Sequence, residues 1–259
     1  MFETALDPAL LTSADPAPVE WCHRDSPAPV MLLCEHAGQA VPRSLDRLGL
    51  PEGALNSHIG WDIGAEALAR AIADHLSAPL ILQRYSRLVI DCNRPPGSDA
   101  SIPQISDGVP VPANQGLTAA QYSQRREAIF DPMNDAITAA FAAYPRRAAF
   151  SIHSFTREFQ GRIRACDAGF LTRQDADTAG FLMTHIAQAM PGARLALNEP
   201  YRIDDTSDWF IPRHAEPRGI RHTLVEVCND QLCDPAGVAH WALLISRAIA
   251  ALPEETGCA

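Results

Sequence analysis

Two histidines and one aspartate are the residues of this chain that could hold a metal ion. His36 and His153 stand at the ends of two apolar runs, VMLLCEHAG at 30–38 and AAFSIH at 148–153, and Asp62 begins a segment with helical spacing. Two imidazoles and one carboxylate, with an open fourth position, are the ligand type of a hydrolytic zinc site. Ordinary alternatives remain open, since histidines after strands are often only hydrogen-bonded and an aspartate at a helix start suits the N-cap.

Glu226 is a candidate general base. It stands inside an apolar run, TLVEVC at 223–228, where an unpaired carboxylate would be costly to bury. Burial raises the pKa of a carboxyl group and makes it a better proton acceptor near neutral pH. The competing interpretation is a salt bridge between this carboxylate and a buried arginine.

Asn93 and Arg94 could bind an anionic group, because they directly follow the run RLVID at 87–91. A guanidinium binds a carboxylate with two hydrogen bonds, and the asparagine adds a neutral donor. The alternative is that Arg94 only tethers the long loop that follows it.

The elements that must position these residues are buried strands. Continuous apolar runs bounded by turn signals are typical of strands in parallel sheets, and ligands of open α/β sheets bind beyond the carboxyl ends of the strands. Four runs carry polar residues at or near their ends, which predicts one site along one edge of one sheet. We expect Glu35 and His36 to lie at that edge.

Strands that alternate with helices predict a three-layer α/β/α sandwich around a mostly parallel mixed sheet. We expect an N-terminal arm at 1–28 that lies on the surface and a single domain at 29–255. The aperiodic loop at 95–116 is long enough to be a lid or substrate loop. Further strands are predicted at 79–83, 87–91, 161–171 and 223–228. Helices are predicted at 62–76, 117–144 (with Thr118 as a cap and Pro132 as the point of a kink or a split), 175–190 and 235–252.

Composition argues against several classes of partner. The net charge of −10 is unfavourable for nucleic acid, although a few arginines in one pocket can still bind an anionic small molecule. No stretch approaches the roughly 18 apolar residues of a membrane span, and the N-terminus does not have the pattern of a secretory signal. The seven cysteines include no CxxC pair, which is typical of free thiols. We therefore expect a cytoplasmic protein, and the sequence leaves its oligomeric state open.

From about residue 29 to the last helix, the chain resembles the N-formylglutamate amidohydrolase family. The matching pieces are EHAG at 35–38, GWDIGA at 60–65, RLVIDCNRP at 87–95, SIHSFT at 151–156, GRIR at 161–164, NEPY at 198–201 and HTLVEVCNDQL at 222–232. The resemblance implies a zinc-exopeptidase-like fold, with one zinc bound by His36, Asp62 and His153. It also implies that Glu226 is the general base and that Asn93 and Arg94 bind an acidic group of the substrate.

These observations together predict a zinc-dependent amidohydrolase of N-acyl amino acids, with N-formyl-L-glutamate, cleaved to formate and L-glutamate, as the first candidate. Zinc would lower the pKa of its water to roughly 7, and Glu226 would carry the proton to the leaving amine. One alternative is a hydrolase of another N-acyl amino acid or a short peptide. A second alternative is a binding protein that keeps the fold and pocket without turnover.

The predicted substrate contacts are mostly cationic. Arg94, together with Arg162 or Arg164, would fix the carboxylates of an anionic small-molecule substrate, and Arg87 is a weaker candidate. Tyr201, in the NEPY piece, is the remaining predicted substrate contact.

Overall fold

A seven-stranded mixed sheet forms the centre of the fold, seen in a computed structural model that describes residues 9–253. The strands in chain order are β1 (Val19–Cys22), β2 (Val30–Cys34), β3 (Leu80–Gln83), β4 (Ile105–Ser106), β5 (Val109–Pro110), β6 (Ala148–Phe155), β7 (Glu158–Phe159), β8 (Arg162–Ile163), β9 (Ala168–Leu171), β10 (Leu195–Leu197) and β11 (Arg221–Cys228). The order in the central sheet is β1-β3-β2-β6-β11-β9-β10, while β4–β5 and β7–β8 are small hairpins. Strands β3, β2, β6 and β11 run parallel, and β1 and β9 pair antiparallel with β3 and β11.

Helices cover both faces of this sheet and confirm the predicted α/β/α sandwich. They are α1 (Ala65–Leu76), α2 (Ala119–Arg125), α3 (Asp131–Ala143), α4 (Ala176–Ala189) and α5 (Pro235–Ala250). The apolar faces of α1, α4 and α5 pack with Leu32 and Phe150 in one buried cluster. Helix α3 packs with Met31 and Leu33 in the cluster on the opposite face. The alternation along β2 is the two-residue period of a strand that is buried on both faces.

The run at 87–91 is not a strand, and the prediction of one there is wrong. Strand β3 ends at Gln83, and the chain then forms a turn in which the Val89 N–H donates to the Ser86 carbonyl at 2.9 Å. The Val89 carbonyl accepts a hydrogen bond from the buried Arg125 guanidinium at 3.0 Å. An apolar run does not reveal this arrangement, because side chains distant in sequence replace the strand ladder as hydrogen-bond partners.

Helix α1 begins three residues later than predicted. Its N-cap is Gly64 at φ +85°, and a Cβ at this position would lie 2.7 Å from Cβ of Leu232. Asp62 therefore does not cap the helix, and its carboxylate faces His36 and His153 instead. The left-handed backbone and the close contact explain why glycine occupies the cap position.

The helix predicted at 117–144 is divided. Thr118 caps α2 in a capping box with Gln121, as the sequence indicates. A single π-helical turn, Arg126–Phe130, separates α2 from α3, and Pro132 lies at the start of α3. Proline has no N–H to donate, so the hydrogen-bond ladder of the helix is interrupted at this point.

Two other segments differ from the sequence-based expectation. Strand β1 lies at the edge of the central sheet, within the segment 1–28 that was expected to be a surface arm. Residues 1–8 of that segment lie outside the described residues. The strand predicted at 161–171 divides into β8, in a hairpin, and β9, in the central sheet. Helices α4 and α5 lie where the periodicity predicts them, and α5 ends two residues early.

Candidate metal centre and active site

The fold brings His36, Asp62 and His153 together at one edge of the sheet. Strands β2 and β6 are parallel neighbours, so His36, two residues beyond β2, lies beside His153, near the end of β6. Nδ1 of His153 lies 2.8 Å from Oδ2 of Asp62, and Nδ1 of His36 lies 3.3 Å from the same oxygen. All three residues are buried, and their potential ligand atoms lie within 4.8 Å of one another. This donor set could hold a metal ion, because imidazole nitrogen and carboxylate oxygen both suit divalent transition metals.

The outer nitrogens of the two imidazoles also have partners. Nε2 of His36 lies 2.8 Å from Oδ1 of Asp91, while Nε2 of His153 lies 2.8 Å from Oγ of Ser151 and 3.2 Å from Oε2 of Glu35. Metal-binding histidines usually have such a partner on the second nitrogen, which fixes the ring orientation and tautomer. The observed pairing therefore turns both Nδ1 atoms toward Oδ2 of Asp62.

Sequence reasoning did not assign Asp91 or Ser151 to the site, and it placed Glu35 at the sheet edge without a role. The positions of these residues in the sequence could have indicated their roles. Glu35 and Asp91 are carboxylates in apolar runs, and Ser151 precedes His153 by two residues in β6. Residues two apart in a strand point to the same side of the sheet. The contact across the sheet, 2.6 Å from Ser151 Oγ to Glu35 Oε2, depends on how β2 and β6 pair.

Opposite charges within the cluster shift several pKa values. Burial alone would raise the pKa of Asp62, but the nearby His36 and His153 hold it well below its usual range. Burial opposes the charged form of Asp91 as well, and His36 and Arg87 likewise bring its pKa far below the usual range. For His153, burial would lower the pKa, but hydrogen bonds to the carboxylates raise it well above the ordinary value. The cluster therefore stabilises ionised carboxylates, as a cation site requires.

Arg87 links the two aspartates of the cluster. Its guanidinium donates to Asp91 Oδ2 at 2.9 Å and 3.1 Å, and its Nη1 lies 3.4 Å from Asp62 Oδ1. The side chain lines the cavity at the site, and its positive charge is offset by these two carboxylates. The residue considered a weaker substrate contact is therefore bound to Asp62 and Asp91 in this structure.

Glu226 lies next to this cluster on β11, paired in register with His153 on β6. Its side chain is buried, and Oε2 has no hydrogen-bond partner within the residues that the structure describes. No ion pair joins it to an arginine in residues 9–253, so the salt bridge considered as an alternative is not found there. Burial raises the pKa of Glu226 to about 7. A carboxyl group with this pKa can exchange a proton near neutral pH.

The His36-Asp62-His153 group and Glu226 line one cavity of about 920 Å³. Its walls come from the segment before α1, the loop after β3, the β4–β5 hairpin, the end of β6, and the segment at 201–208. Cavities of this size hold small organic ligands in proteins. The cavity therefore connects the site predicted at the sheet edge with the loop at 95–116, which was predicted to be a lid or substrate loop.

The structure places Asn93 and Arg94 against the segment at 204–210. The Asn93 side-chain oxygen accepts hydrogen bonds from the N–H groups of Trp209 and Phe210, both at 3.2 Å. The Arg94 guanidinium donates to the carbonyl of Ser207 and lies 3.7 Å from Oδ1 of Asp208. Both residues also line the cavity, so they face the predicted substrate space while holding this segment.

The other predicted substrate contacts, Tyr201, Arg162 and Arg164, do not all line the same cavity in the structure. Tyr201 lines the cavity, and the Arg164 guanidinium lies over its ring at 4.7 Å and over the Phe159 ring at 4.6 Å. Arg162 is exposed on β8 and lines a smaller neighbouring groove, and Arg164 lines the same groove. Of these three residues, only Tyr201 lines the cavity that contains the His36-Asp62-His153 group.

The α/β/α sandwich thus brings a buried His-Asp-His group and the buried carboxyl of Glu226 together at the carboxyl edge of its sheet. Residues 28–233 match the model of the family described as N-formylglutamate amidohydrolase, and the chain belongs to that family. Its membership makes this protein an amide hydrolase.

The chain is also similar to several solved structures. The product of gene Atu2144 from Agrobacterium tumefaciens is 32% identical, with a TM-score of 0.88 over 95% of this chain and 100% of that one. A bacteriophage poly-gamma-glutamate hydrolase is 12% identical, with a TM-score of 0.48 over 90% of this chain and 87% of that one. An N-acetylmuramoyl-L-alanine amidase from Clostridium difficile 630 is 11% identical, with a TM-score of 0.47 over 90% and 100%. A comparison with curated proteins finds no match.

One further observation concerns membranes. Among residues 9–253, none of the helices combines the length and the apolar character that crossing a bilayer requires.

Proposed function

We propose that this protein is a zinc-dependent amidohydrolase of N-acyl amino acids, with N-formyl-L-glutamate, cleaved to formate and L-glutamate, as the first candidate substrate. The observation that carries the proposal is the convergence of His36, Asp62 and His153 in one cavity with the buried carboxyl of Glu226. The family match over residues 28–233 supports the amide as the bond that is cleaved.

The donor set fits one zinc ion per chain. Two imidazoles and one carboxylate, all buried and convergent, are a ligand set of catalytic zinc, and His36 and His153 already have outer partners that orient them. When bound there, zinc would supply a Lewis acid that lowers the pKa of water to roughly 7 and polarises a carbonyl oxygen. Asp91 and Glu35 would hold the two rings in the orientation that binding needs.

Glu226 performs the proton transfers in this proposal. Its carboxylate accepts a proton from the water that attacks the carbonyl carbon, and a carbon–oxygen bond forms. The same carboxyl then donates the proton to the amide nitrogen as the carbon–nitrogen bond breaks, which releases a carboxylic acid and the free amino acid. A pKa of about 7 suits both halves of this exchange, because the group is ionised and protonated to comparable extents near neutral pH.

Substrate binding is proposed for the polar groups that line the cavity. Arg94 would contribute guanidinium donors that Ser207 does not use, and Tyr201 would contribute its hydroxyl. Asn93 would act by positioning, since its side chain is bonded to the backbone of the segment at 204–210. Arg162 and Arg164 line the neighbouring groove and would serve only a substrate long enough to extend there.

A larger N-acyl amino acid or a short peptide is the second candidate substrate. The cavity of about 920 Å³ is near the upper end of the range for small-molecule sites, and a formyl group with one amino acid would fill only part of it. A panel of N-acyl amino acids with acyl groups of increasing size would decide between the candidates. Hydrolysis of none of them by zinc-loaded protein would favour a binding protein without turnover.

Substitution Glu226→Gln tests the mechanism, because it keeps the shape and hydrogen bonding of the side chain but removes the base. We expect the variant to bind zinc and substrate normally, with kcat reduced by roughly 10²–10⁴-fold. Glu199→Gln is the matched control, since Glu199 is exposed and lines the neighbouring groove, and its kcat should not change. Near-normal turnover by folded, zinc-loaded Glu226→Gln protein would reject the assigned role.

A further inference from the structure

The cationic side chains of the catalytic cavity differ in whether their charge is already offset. Arg87 is bonded to Asp91, and Arg94 lies beside Asp208. Arg202 also lines the cavity, is exposed, and forms no hydrogen bond or ion pair with any residue in 9–253. It is therefore the arginine of this cavity whose charge is available to a ligand.

The two paired arginines are poorly suited to supply the charge that binds an anion. If Arg87 turned to a substrate carboxylate, the buried Asp91 would lose two hydrogen bonds from its guanidinium. If Arg94 turned away, the buried Asp208 would lose the positive charge that lies 3.7 Å from its Oδ1. Leaving a buried carboxylate without its partner has a large free-energy cost. Arg202 has no such partner to lose, so an incoming carboxylate would gain its full attraction.

The backbone that carries Arg202 is held in place on both sides. Before it, the Asn198 N–H donates to the Phe170 carbonyl at 3.0 Å, and the Asn198 side chain accepts from the Thr172 N–H at 2.9 Å. After it, Ile203 is buried in the core. The anchored backbone means that a ligand has to order only the side chain of Arg202, which limits the entropic cost of binding.

We propose that Arg202 is a specificity-determining residue that binds a carboxylate of the substrate and selects N-acyl derivatives of acidic amino acids over neutral ones. The inference rests on the proposed function for its substrate class, and it assigns to Arg202 the charge selectivity that sequence analysis gave to Arg94, Arg162 and Arg164. Arg94 retains its place as a donor to the substrate, with its charge largely offset by Asp208 and Asp91.

Ligand binding tests this inference without turnover. Calorimetry would compare glutarate with its monoamide, glutaramate, on zinc-loaded protein, because the two ligands differ in a single charge. We expect the native protein to bind glutarate more tightly, and Arg202→Gln to weaken glutarate binding about 10-fold while leaving glutaramate unchanged. Arg202→Lys should restore part of the loss, since it keeps the charge but not the paired donors of the guanidinium.

Arg162→Gln is the matched control, because Arg162 is exposed and forms no side-chain hydrogen bond or ion pair within residues 9–253, but lies in the neighbouring groove. Its affinity for glutarate should equal that of the native protein. Equal losses for both ligands in Arg202→Gln, no loss at all, or the same loss in Arg162→Gln would overturn the proposal. Failure of the N-acyl amino acid panel would reject the proposed function instead, and the glutarate comparison would still decide the role of Arg202.

Discussion

Nε2 of His36 lies 2.8 Å from Oδ1 of Asp91, although the two residues are 55 positions apart in the sequence. Both side chains are buried, and the same Asp91 oxygen accepts a hydrogen bond from the Asn93 N–H at 2.9 Å. The carboxylate is thus held from more than one side, and it fixes the ring so that Nδ1 of His36 faces Asp62. An outer carboxylate of this kind usually makes a large contribution to metal affinity.

Replacing Asp91 should weaken metal binding without removing a ligand. Asp91→Asn keeps the size of the side chain but loses the charge that orients His36 and pairs with Arg87. We expect zinc affinity to fall by roughly 10–100-fold, measured by competition with a chelator of known affinity. Asp99→Asn is the control, since Asp99 is an exposed acid that lines the same cavity. Unchanged affinity in Asp91→Asn would contradict the positioning role.

Removing a ligand should have a larger effect. His153→Ala is expected to lose bound zinc and amide hydrolysis together, because two of the original donors remain and catalytic zinc requires three protein ligands. Elemental analysis would give the zinc content per chain, and circular dichroism would show that the variant is folded. His58→Ala is the control: His58 lines the cavity, but its Nε2 is bonded to Asp107 at 3.0 Å. One zinc per chain in His153→Ala would reject the ligand assignment.

The raised pKa of Glu226 predicts a specific pH dependence of stability. Burial raises this pKa from 4.5 to about 7, so between these values the metal-free folded protein keeps a proton that the unfolded chain has released. The group therefore lowers the free energy of unfolding as the pH rises through this window. Glutamine does not ionise, so its burial does not lower the free energy of unfolding as the pH rises. The Tm of metal-free Glu226→Gln should therefore increase relative to that of the native protein between about pH 5 and about pH 8. A Tm difference that does not change with pH would contradict this explanation.

Gly169 fixes the segment that carries Tyr201 and Arg202. A Cβ at Gly169 would lie 1.8 Å from the carbonyl oxygen of Glu199, a distance that forces the backbone apart. We expect Gly169→Ala to lower Tm strongly and to reduce kcat/KM, measured by thermal unfolding and steady-state kinetics. Gly180→Ala, in α4, meets no atom within 4 Å and should instead stabilise the protein by roughly 0.5–1 kcal/mol. Equal effects of the two substitutions would contradict the role of close packing at Gly169.

Local sequence patterns predicted most of the fold. Apolar periodicity located α1, α4 and α5 to within a few residues, because each of these helices buries one stripe against the sheet. It failed at 87–91, where an apolar run forms a turn whose backbone is bonded by Arg125. Hydrophobicity records that a segment is buried, but not which groups satisfy its hydrogen bonds.

The sequence by itself determined the α/β class, the family, and the residue types at the sheet edge, since strand ends and motif order are local properties of the chain. Only the tertiary structure decided that Asp91 and Glu35 hold the outer nitrogens of His36 and His153. Only the tertiary structure, too, showed that Arg87 and Arg94 already have carboxylate partners while Arg202 has none among the described residues. The physical reason is that charge compensation depends on distances of a few ångströms between residues far apart in sequence, which strand pairing and loop packing set together.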